Sequence, residues 1–378
     1  MSWPLVKLSE VCTLINGRAY SQGELLSKGK YEVLRVGNFF SNRDWYYSDL
    51  ELPEEKYCDN GDLLYAWSAS FGPRIWDGGK VIYHYHIWKV VIDEALVDKK
   101  YLFYALQYDV DSIKREQGTG STMIHVTKSA MENRLVPLPP LPEQKRIAAI
   151  LDKAEAIRRK RQQAIQLADD FLRAVFLDMF GDPVTNPKGW ELLPFSAVGT
   201  LDRGKSKHRP RNDPALLGGT HPLIQTGEVA NSRGYIKDYS ATYSDLGLVQ
   251  SKKWDAGTLC ITIAANIAKT GILTFPACFP DSVVGFMPNK HVTVEYVQHW
   301  LGFLQKNLEE NAPQAAQKNI NLEILRALLI PVPPKSEQEK FSSMVAGILA
   351  IEGKIASSSD TLGNAFDALS QKAFSGQL

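Results

Sequence analysis

The sequence predicts an α+β protein in which two pseudo-repeated globular domains are joined by two long antiparallel coiled-coil helices. Three observations carry this. The 378 residues hold one series of phrases written twice, each copy mixes strand-like with helix-like runs, and each copy ends at a proline stop followed by a sustained apolar heptad. The predicted boundaries are 1–141 for the first globular domain, 142–182 for a central long helix, 183–334 for the second domain and 335–378 for a C-terminal long helix.

The repeat begins with Trp3-Pro-Leu-Val-Lys-Leu-Ser-Glu-Val11, which lines up with Trp190-Glu-Leu-Leu-Pro-Phe-Ser-Ala-Val198. A glycine–basic pair follows in both copies, Gly17-Arg18 and Gly204-Lys205. Val33-Leu34-Arg35-Val36-Gly37-Asn38 matches Leu223-Ile224-Gln225-Thr226-Gly227-Glu228, and Gly61-Asp62-Leu63-Leu64 matches Gly257-Thr258-Leu259-Cys260. The copies close on Leu135-Val136-Pro137-Leu138-Pro139-Pro140 and Leu329-Ile330-Pro331-Val332-Pro333-Pro334, each followed two residues later by Glu-Gln, at 143–144 and 337–338. Five matches in one order are a repeat.

Within the copies, Tyr31–Val36, Val81–Val91, Thr258–Ile263 and His291–Val294 are rich in β-branched and aromatic residues and read as strands. Tyr101–Tyr108 and Val297–Leu308 read as helices at corresponding places. After the first proline stop, Ile147, Ala154, Arg161, Ala168 and Val175 alternate with Ile150, Ile157, Ala164, Phe171 and Asp178. After the second, Phe341, Ile348, Ile355, Leu362 and Leu369 alternate with Met344, Ile351, Ser358, Ala365 and Lys372. That period is 3.5 residues, the period of helices that pair along a seam. Proline starts such a helix and cannot continue one, so Pro142 and Pro334 mark starts; Gly181 and Gly376 mark stops.

Composition narrows the function. A hydrophobic fraction of 44% and a charged fraction of 22% are ordinary for a globular protein. No apolar run reaches membrane-spanning length and the first residues open no signal or transit peptide, so a cytoplasmic protein without a membrane partner is expected. The four cysteines and seven histidines show no metal-ligand spacing, and neither a metal nor a cofactor is expected. Net charge is +1; residues 1–141 hold 16 basic against 18 acidic side chains and residues 183–334 hold 15 against 12. Any nucleic-acid binding must come from local patches or from a partner that neutralises phosphates.

Gly199-Thr-Leu-Asp-Arg-Gly204-Lys205-Ser206 fits the phosphate-binding loop expression, but that loop needs a helix after it, and the basic, proline-broken run from Lys207 to Pro214 offers none. The same run, with Lys205, Lys207, Arg209 and Arg211 and no acid before Asp213, suits phosphate contacts and arginine readout of guanine edges. No Asn/Asp-Pro-Pro-aromatic tetrapeptide of an amine methyltransferase is present, and Glu143-Gln144-Lys145 opens a helix instead of lining a nuclease site. No catalytic residue is expected. The polar loops before the proline stops differ between copies while their flanks agree: Thr119, Ser121, Thr122 and His125 in the first, Gln314, Gln317 and Lys318 in the second. With Arg18, Arg35, Asn38, Arg74, Gln225, Glu228, Asn266 and Lys269, these are the candidate DNA contacts.

The proline–Glu-Gln–helix element occurring twice, Leu138-Pro-Pro-Leu-Pro-Glu-Gln-Lys-Arg-Ile147 and Ile330-Pro-Val-Pro-Pro-Lys-Ser-Glu-Gln338, resembles the specificity subunit family of Type I restriction–modification enzymes. Ile261-Thr-Ile-Ala-Ala-Asn266 and Gln371-Lys-Ala-Phe-Ser-Gly376 add to the resemblance, which spans essentially the whole chain. It implies two target-recognition domains, each reading half of a bipartite asymmetric site on double-stranded DNA, with helices that fix the unread spacer. It also implies two methyltransferase subunits as partners, restriction/translocase subunits that join them, and no catalysis by this chain itself. The competing expectation is a coiled-coil adaptor that binds only proteins.

Overall fold

The computed structural model describes residues 3–41, 43–68, 72–117, 125–208, 210, 213–264, 268–310, 321–357 and 360–378. They form two compact units, residues 1–162 with 356–378, and residues 163–355.

In chain order the first unit contains strands β1 (Leu5–Lys7), β2 (Cys12–Asn16), β3 (Tyr31–Leu34), β4 (Tyr46–Ser48), β5 (Tyr57–Cys58), β6 (Leu63–Ala66), β7 (Gly72–Ile75), β8 (Val81–Tyr83), β9 (Ile87–Ile92) and β10 (Leu135–Pro137). They make three sheets, ordered β2-β9-β6-β7, β4-β3-β8-β5 and β1-β10. The second unit contains β11 (Glu191–Pro194), β12 (Gly199–Arg203), β13 (Leu217–Leu223), β14 (Gly234–Ile236), β15 (Ala241–Tyr243), β16 (Lys253–Trp254), β17 (Leu259–Thr262), β18 (Thr270–Leu273), β19 (Ala277–Cys278), β20 (Val283–Pro288) and β21 (Leu329–Val332). Its sheets run β12-β20-β17-β18-β14, β15-β13-β19-β16 and β11-β21. Apart from β14, the two sets of sheets correspond strand for strand.

The repeat extends to single hydrogen bonds. Gly17 N donates to Ile87 O and Arg18 N to Tyr83 O; in the second copy Gly204 N donates to Val283 O and Lys205 N to Phe279 O. A Cβ on Gly17 would lie 2.2 Å from Tyr83 O, and one on Gly204 2.2 Å from Phe279 O, so only glycine lets the two backbones cross here. Tyr101 Oη donates to Pro137 O at 2.7 Å, and Tyr296 Oη to Pro331 O at 2.7 Å. Buried Gln144 donates to Leu96 O and Pro139 O and accepts from Asp98 N; buried Gln338 donates to His291 O and Pro333 O and accepts from Thr293 N. The glutamine of each Glu-Gln pair therefore ties the proline stop to the segment that leads into the preceding helix.

Helices α1 (Val36–Phe40), α2 (Lys99–Gln117), α3 (Lys128–Glu132) and the 40-residue α4 (Leu141–Phe180) are followed by α5 (Thr226–Ala230), α6 (Asp245–Val249), α7 (Val294–Glu310), α8 (Leu322–Ala327), α9 (Lys335–Ser357) and α10 (Asp360–Ser375). Residues 141–162 of α4 belong to the first unit with α10, and residues 163–180 to the second with α9. In the first unit Arg146 Nη2 donates to Leu378 O at 2.9 Å and Arg158 lies over the Phe366 ring, so α4 and α10 run in opposite directions. In the second, Phe176 and Phe180 meet Phe341, while Asp169 and Leu172 lie beside Val345, Leu349 and Glu352; α4 and α9 are also antiparallel.

Three expectations need correction. Val81–Val91 is two strands, β8 and β9, parted by a turn at His84–His86. His291–Val294 is no strand but the lead-in to α7, where Thr293 O accepts from Val297 N. The segment expected as a C-terminal helix is helical over Lys335–Ser357 and Asp360–Ser375, with 358–359 outside the described residues. One row of the predicted seam also faces solvent: Ile157, Phe171, Met344 and Ile351 are exposed, and the buried positions of α4 are Gln144, Ile147, Ala148, Leu151, Ala154, Leu172, Phe176 and Phe180. That spacing is the 3.6-residue stripe of a helix packed on its own globular unit as well as on a second helix.

Candidate nucleic-acid interface

In each unit a cleft opens at the same place: beyond the end of the central strand β3 or β13, against the first turn of the short helix that follows. The β3–β8 register is parallel, with Leu34 opposite Tyr83, and β13–β19 pairs Leu223 with Cys278 in the same sense. The residues after these strand ends therefore emerge together on one edge.

In the first unit the cleft has a volume of about 550 Å³ and is lined by Arg35, Asn38, Arg43, Tyr46, His84 and His86, with Val36, Gly37 and Asp44. In the second it is smaller, about 320 Å³, and is lined by Ser206, Gln225, Thr226, Ala241, Pro280 and Ser282, with Leu217, Leu223 and Tyr243. Strand register makes the linings equivalent. Tyr46 and Ala241 pair opposite Val33 and Leu223, Arg35 and Gln225 each stand two residues beyond those two positions, and His84 and His86 match Pro280 and Ser282 through the strands before them. The frame is shared and the lining is not.

The first cleft is rich in hydrogen-bond donors. The Arg35 guanidinium lies 5.0 Å over the Tyr46 ring, and among the described residues no carboxylate pairs with it. His84 and His86 have ring centroids 4.9 Å apart, and both touch Tyr85. Burial first, then His86 and Arg35, push the His84 imidazole down to about 4; burial, His125 and Arg35 lower His86. Both rings are neutral at pH 7. Trp67 stacks on Trp88, meets His86 edge-on and donates its indole N–H to Tyr85 O, making an aromatic wall behind the turn. The Arg43 stem packs over Gly37, where a Cβ would sit 2.7 Å from Arg43 Cδ.

Of the sequence candidates, Arg35 and Asn38 line this cleft, although Asn38 donates its side-chain amide to the carbonyls of Arg43 and Asp44. His125 stands near it, its Nδ1 3.0 Å from Ser68 Oγ and its ring against Trp67. Arg18 pairs with Glu24 at 2.7 Å while its Nη1 is buried without a partner. Arg74 is engaged by Asp77 and Phe39 O, and its guanidinium lies over the Trp76 ring. In the second unit Gln225 lines the cleft, and Glu228 caps α5 and accepts from Ser240. Lys205 and Lys207 are exposed on a loop held by Gln250, which accepts from Lys207 N and His208 N, and by Ser251, which donates to Lys205 O. Lys269 is exposed, its backbone N–H donating to Thr262 Oγ1. Thr119, Ser121, Thr122, Arg209, Arg211, Asn266, Gln314, Gln317 and Lys318 lie outside the described residues.

Sequence reasoning missed Arg43, Tyr46, His84 and His86 in the first cleft, and Ser206 and Ser282 in the second. The Tyr83-His84-Tyr85-His86 run was the available signal, hidden inside an apparent single strand. The phosphate-loop likeness dissolves: Gly199 begins β12, paired antiparallel with β20, and the next described regular element is a 3₁₀ turn at Pro214–Leu216. Glu143 is paired with Arg146 at 2.7 Å on the first turn of α4.

A family model described as the Type I restriction modification DNA specificity domain matches residues 2–167 and again residues 187–353. The chain belongs to the Type I specificity subunit family. Among curated relatives of this family, the Type I restriction enzyme EcoBI specificity subunit of Escherichia coli is 21% identical over 100% of this chain and 86% of its own length. The MjaVIII specificity subunit of Methanocaldococcus jannaschii is 27% identical over 40% of this chain and 38% of its own. Among solved structures, the S subunit of a Type I restriction–modification system from M. genitalium superposes with a TM-score of 0.66 at 15% identity, covering 99% of this chain and 96% of that one. A structure of a type I system described for its complex assembly and conformational transition gives a TM-score of 0.51 at 19% identity, over 100% of this chain and 98% of that chain. The specificity-subunit fold is thus a mixed α/β arrangement of two repeated domains, and among the described residues no helix is long and apolar enough to cross a membrane.

Proposed function

We propose that this specificity subunit reads a bipartite, asymmetric sequence on double-stranded DNA, one half through each recognition domain, 1–141 and 183–334. The observation that carries the reading is the pair of equivalent clefts: one backbone frame twice, lined by arginine and imidazole in the first copy and by glutamine and hydroxyls in the second. A protein that read the same half-site twice would keep the linings alike. Base edges are distinguished by donor and acceptor pattern, so two different linings suit two different half-sites.

In this reading Arg35 and His125 in the first domain, and Gln225, Lys205 and Lys207 in the second, contact DNA, with Arg18, Asn38, Arg74, Glu228 and Lys269 around them. Thr119, Ser121, Thr122, Arg209, Arg211, Asn266, Gln314, Gln317 and Lys318 supply further contacts. The long helices fix the unread spacer and dock two methyltransferase subunits, which bring the methyl donor and flip the target adenine. Restriction/translocase subunits complete the assembly in the cytoplasm. The chain itself catalyses nothing and needs no cofactor. Its modest net charge of +1 fits a subunit whose partners supply much of the phosphate neutralisation.

Single-molecule sequencing of N6-methyladenine in cells with and without this gene tests the proposal. Loss of methylation from one two-part motif with a fixed gap is the expected result. An unchanged methylome in cells that express the native methyltransferase would overturn it.

A further inference from the structure

The cleft of the first unit has a chemistry narrower than DNA binding. Among the expected arginines of that unit, Arg18 is paired with Glu24 and Arg74 with Asp77, so both guanidiniums serve the protein. Arg35 is different. Its guanidinium lies over the Tyr46 ring, no described carboxylate pairs with it, and it lines the cleft directly. A guanidinium held over an aromatic ring keeps its planar fork of donors preorganised, so less freedom is lost per hydrogen bond it forms.

The rest of the lining agrees in sign. Arg43 adds a second guanidinium, His84 and His86 add ring N–H groups, and Asp44 is the one carboxylate lining the cleft among the described residues. Asn38 is spent on two loop carbonyls. A surface that offers donors needs a partner that offers acceptors. On the major-groove edge of DNA, guanine presents two acceptors, N7 and O6, whereas adenine and cytosine present an exocyclic amine that would meet donors head-on.

We infer that the cleft of the first unit reads a guanine, with Arg35 held on Tyr46 as the bidentate reader. This rests on the proposal that the unit is a DNA-recognition domain. The second copy sharpens it: at the equivalent place stand Gln225, Pro280 and Ser282, with no cation lining the cleft among its described residues, so guanine selection belongs to one half-site.

The test uses the assembled complex with its methyltransferase partners and a library of DNA sites randomised at each position of both half-sites. Arg35→Gln is the main variant, because glutamine occupies the same place in the second copy and the fold accepts it. The expected result is a drop of roughly 10-fold to 100-fold in methylation of sites carrying guanine at one position of one half-site, with the other bases there now tolerated. Arg35→Lys, which keeps the charge but not the fork, should lose the same preference. A uniform loss over all bases would make Arg35 a phosphate contact and overturn the inference, as would unchanged selection. If instead the unaltered complex selects no two-part sequence, the proposal of DNA reading fails with it, and the two failures are told apart by that control.

Discussion

Replacing Gln144 by methionine tests what holds each globular unit to its long helix. The side chain is fully buried, donates at 3.0 Å to Leu96 O and 2.8 Å to Pro139 O, and accepts at 2.8 Å from Asp98 N. Methionine has similar length and no polar atom, so packing survives while one N–H and two carbonyls lose their partner. An unmet buried N–H costs about 1–3 kcal/mol, and carbonyls somewhat less each, which places the loss at about 3–5 kcal/mol. Gln144→Glu should be worse at neutral pH, because a carboxylate can still accept from Asp98 N but faces two carbonyl oxygens. Its pKa in the folded state is then raised, so the variant binds more protons folded than unfolded and regains stability as pH falls. Guanidinium unfolding followed by tryptophan fluorescence measures both, with amide exchange at Asp98 as the local readout. Gln338→Met should lose the same amount, since Thr293 N, His291 O and Pro333 O repeat the three bonds. A change below about 0.5 kcal/mol in either methionine variant would refute the account of the Glu-Gln signature as a buried clamp.

Three further outcomes are expected. Lys205→Ala with Lys207→Ala should weaken binding of the assembled complex to one half-site and lower the salt dependence by about one counterion per residue; equal loss at both half-sites would contradict the assignment. Adding one matched heptad to α4 and to the C-terminal helical segment should widen the unread spacer by about three base pairs, from about 1.5 Å of rise per residue against 3.4 Å per base pair, with both half-sites unchanged in methylation sequencing. His84, flanked by His86, Arg35, Tyr20 and Tyr85, is held neutral in the folded protein; the stability this gives is fully present above the ordinary histidine value near 6.5 and is lost as pH falls towards about 4. Thermal unfolding of His84→Gln should lack that acid-side decline, by about 1–2 kcal/mol after allowance for the ring's partial exposure.

The repeat was legible in the sequence because the residues that define it answer to backbone needs. Gly17 and Gly204 sit where carbonyls leave no room for a Cβ, and Gln144 and Gln338 satisfy main-chain groups, so neither depends on what the unit binds. The seam was half legible. An apolar heptad names the right helices, but Phe171 and Ile351 show that apolar character alone does not say which row is covered. The cleft was scarcely legible. Arg35, Arg43, Tyr46, His84 and His86 come from three separated stretches, and only the parallel β3–β8 pairing brings the histidine turn against the start of α1. A period-2 reading of Val81–Val91 could not see the turn, since the aromatic and β-branched residues on both sides of it continue the strand pattern.

That division between frame and lining has a consequence for how recognition can change. The contacts that fix each cleft are main-chain bonds and glycine crossings, whereas the side chains lining it leave strand ends and loops, and Arg35, His86, Gln225 and Ser282 are only partly covered or exposed. Substitutions at such positions disturb little packing, and surface changes away from buried contacts usually stay within about 0.5 kcal/mol. The two copies already illustrate the point: Arg35 and His86 in one, Gln225 and Ser282 in the other, on backbones that keep the same glycine crossing and the same glutamine clamp. A scaffold built this way separates its stability from the chemistry of its clefts, so under the proposed function a new half-site requires a new lining and not a new fold. The physical limit is the pair Gly17 and Gly204. A side chain there would push apart the backbones from which His84 and Pro280 emerge, and would change the shape of the cleft itself.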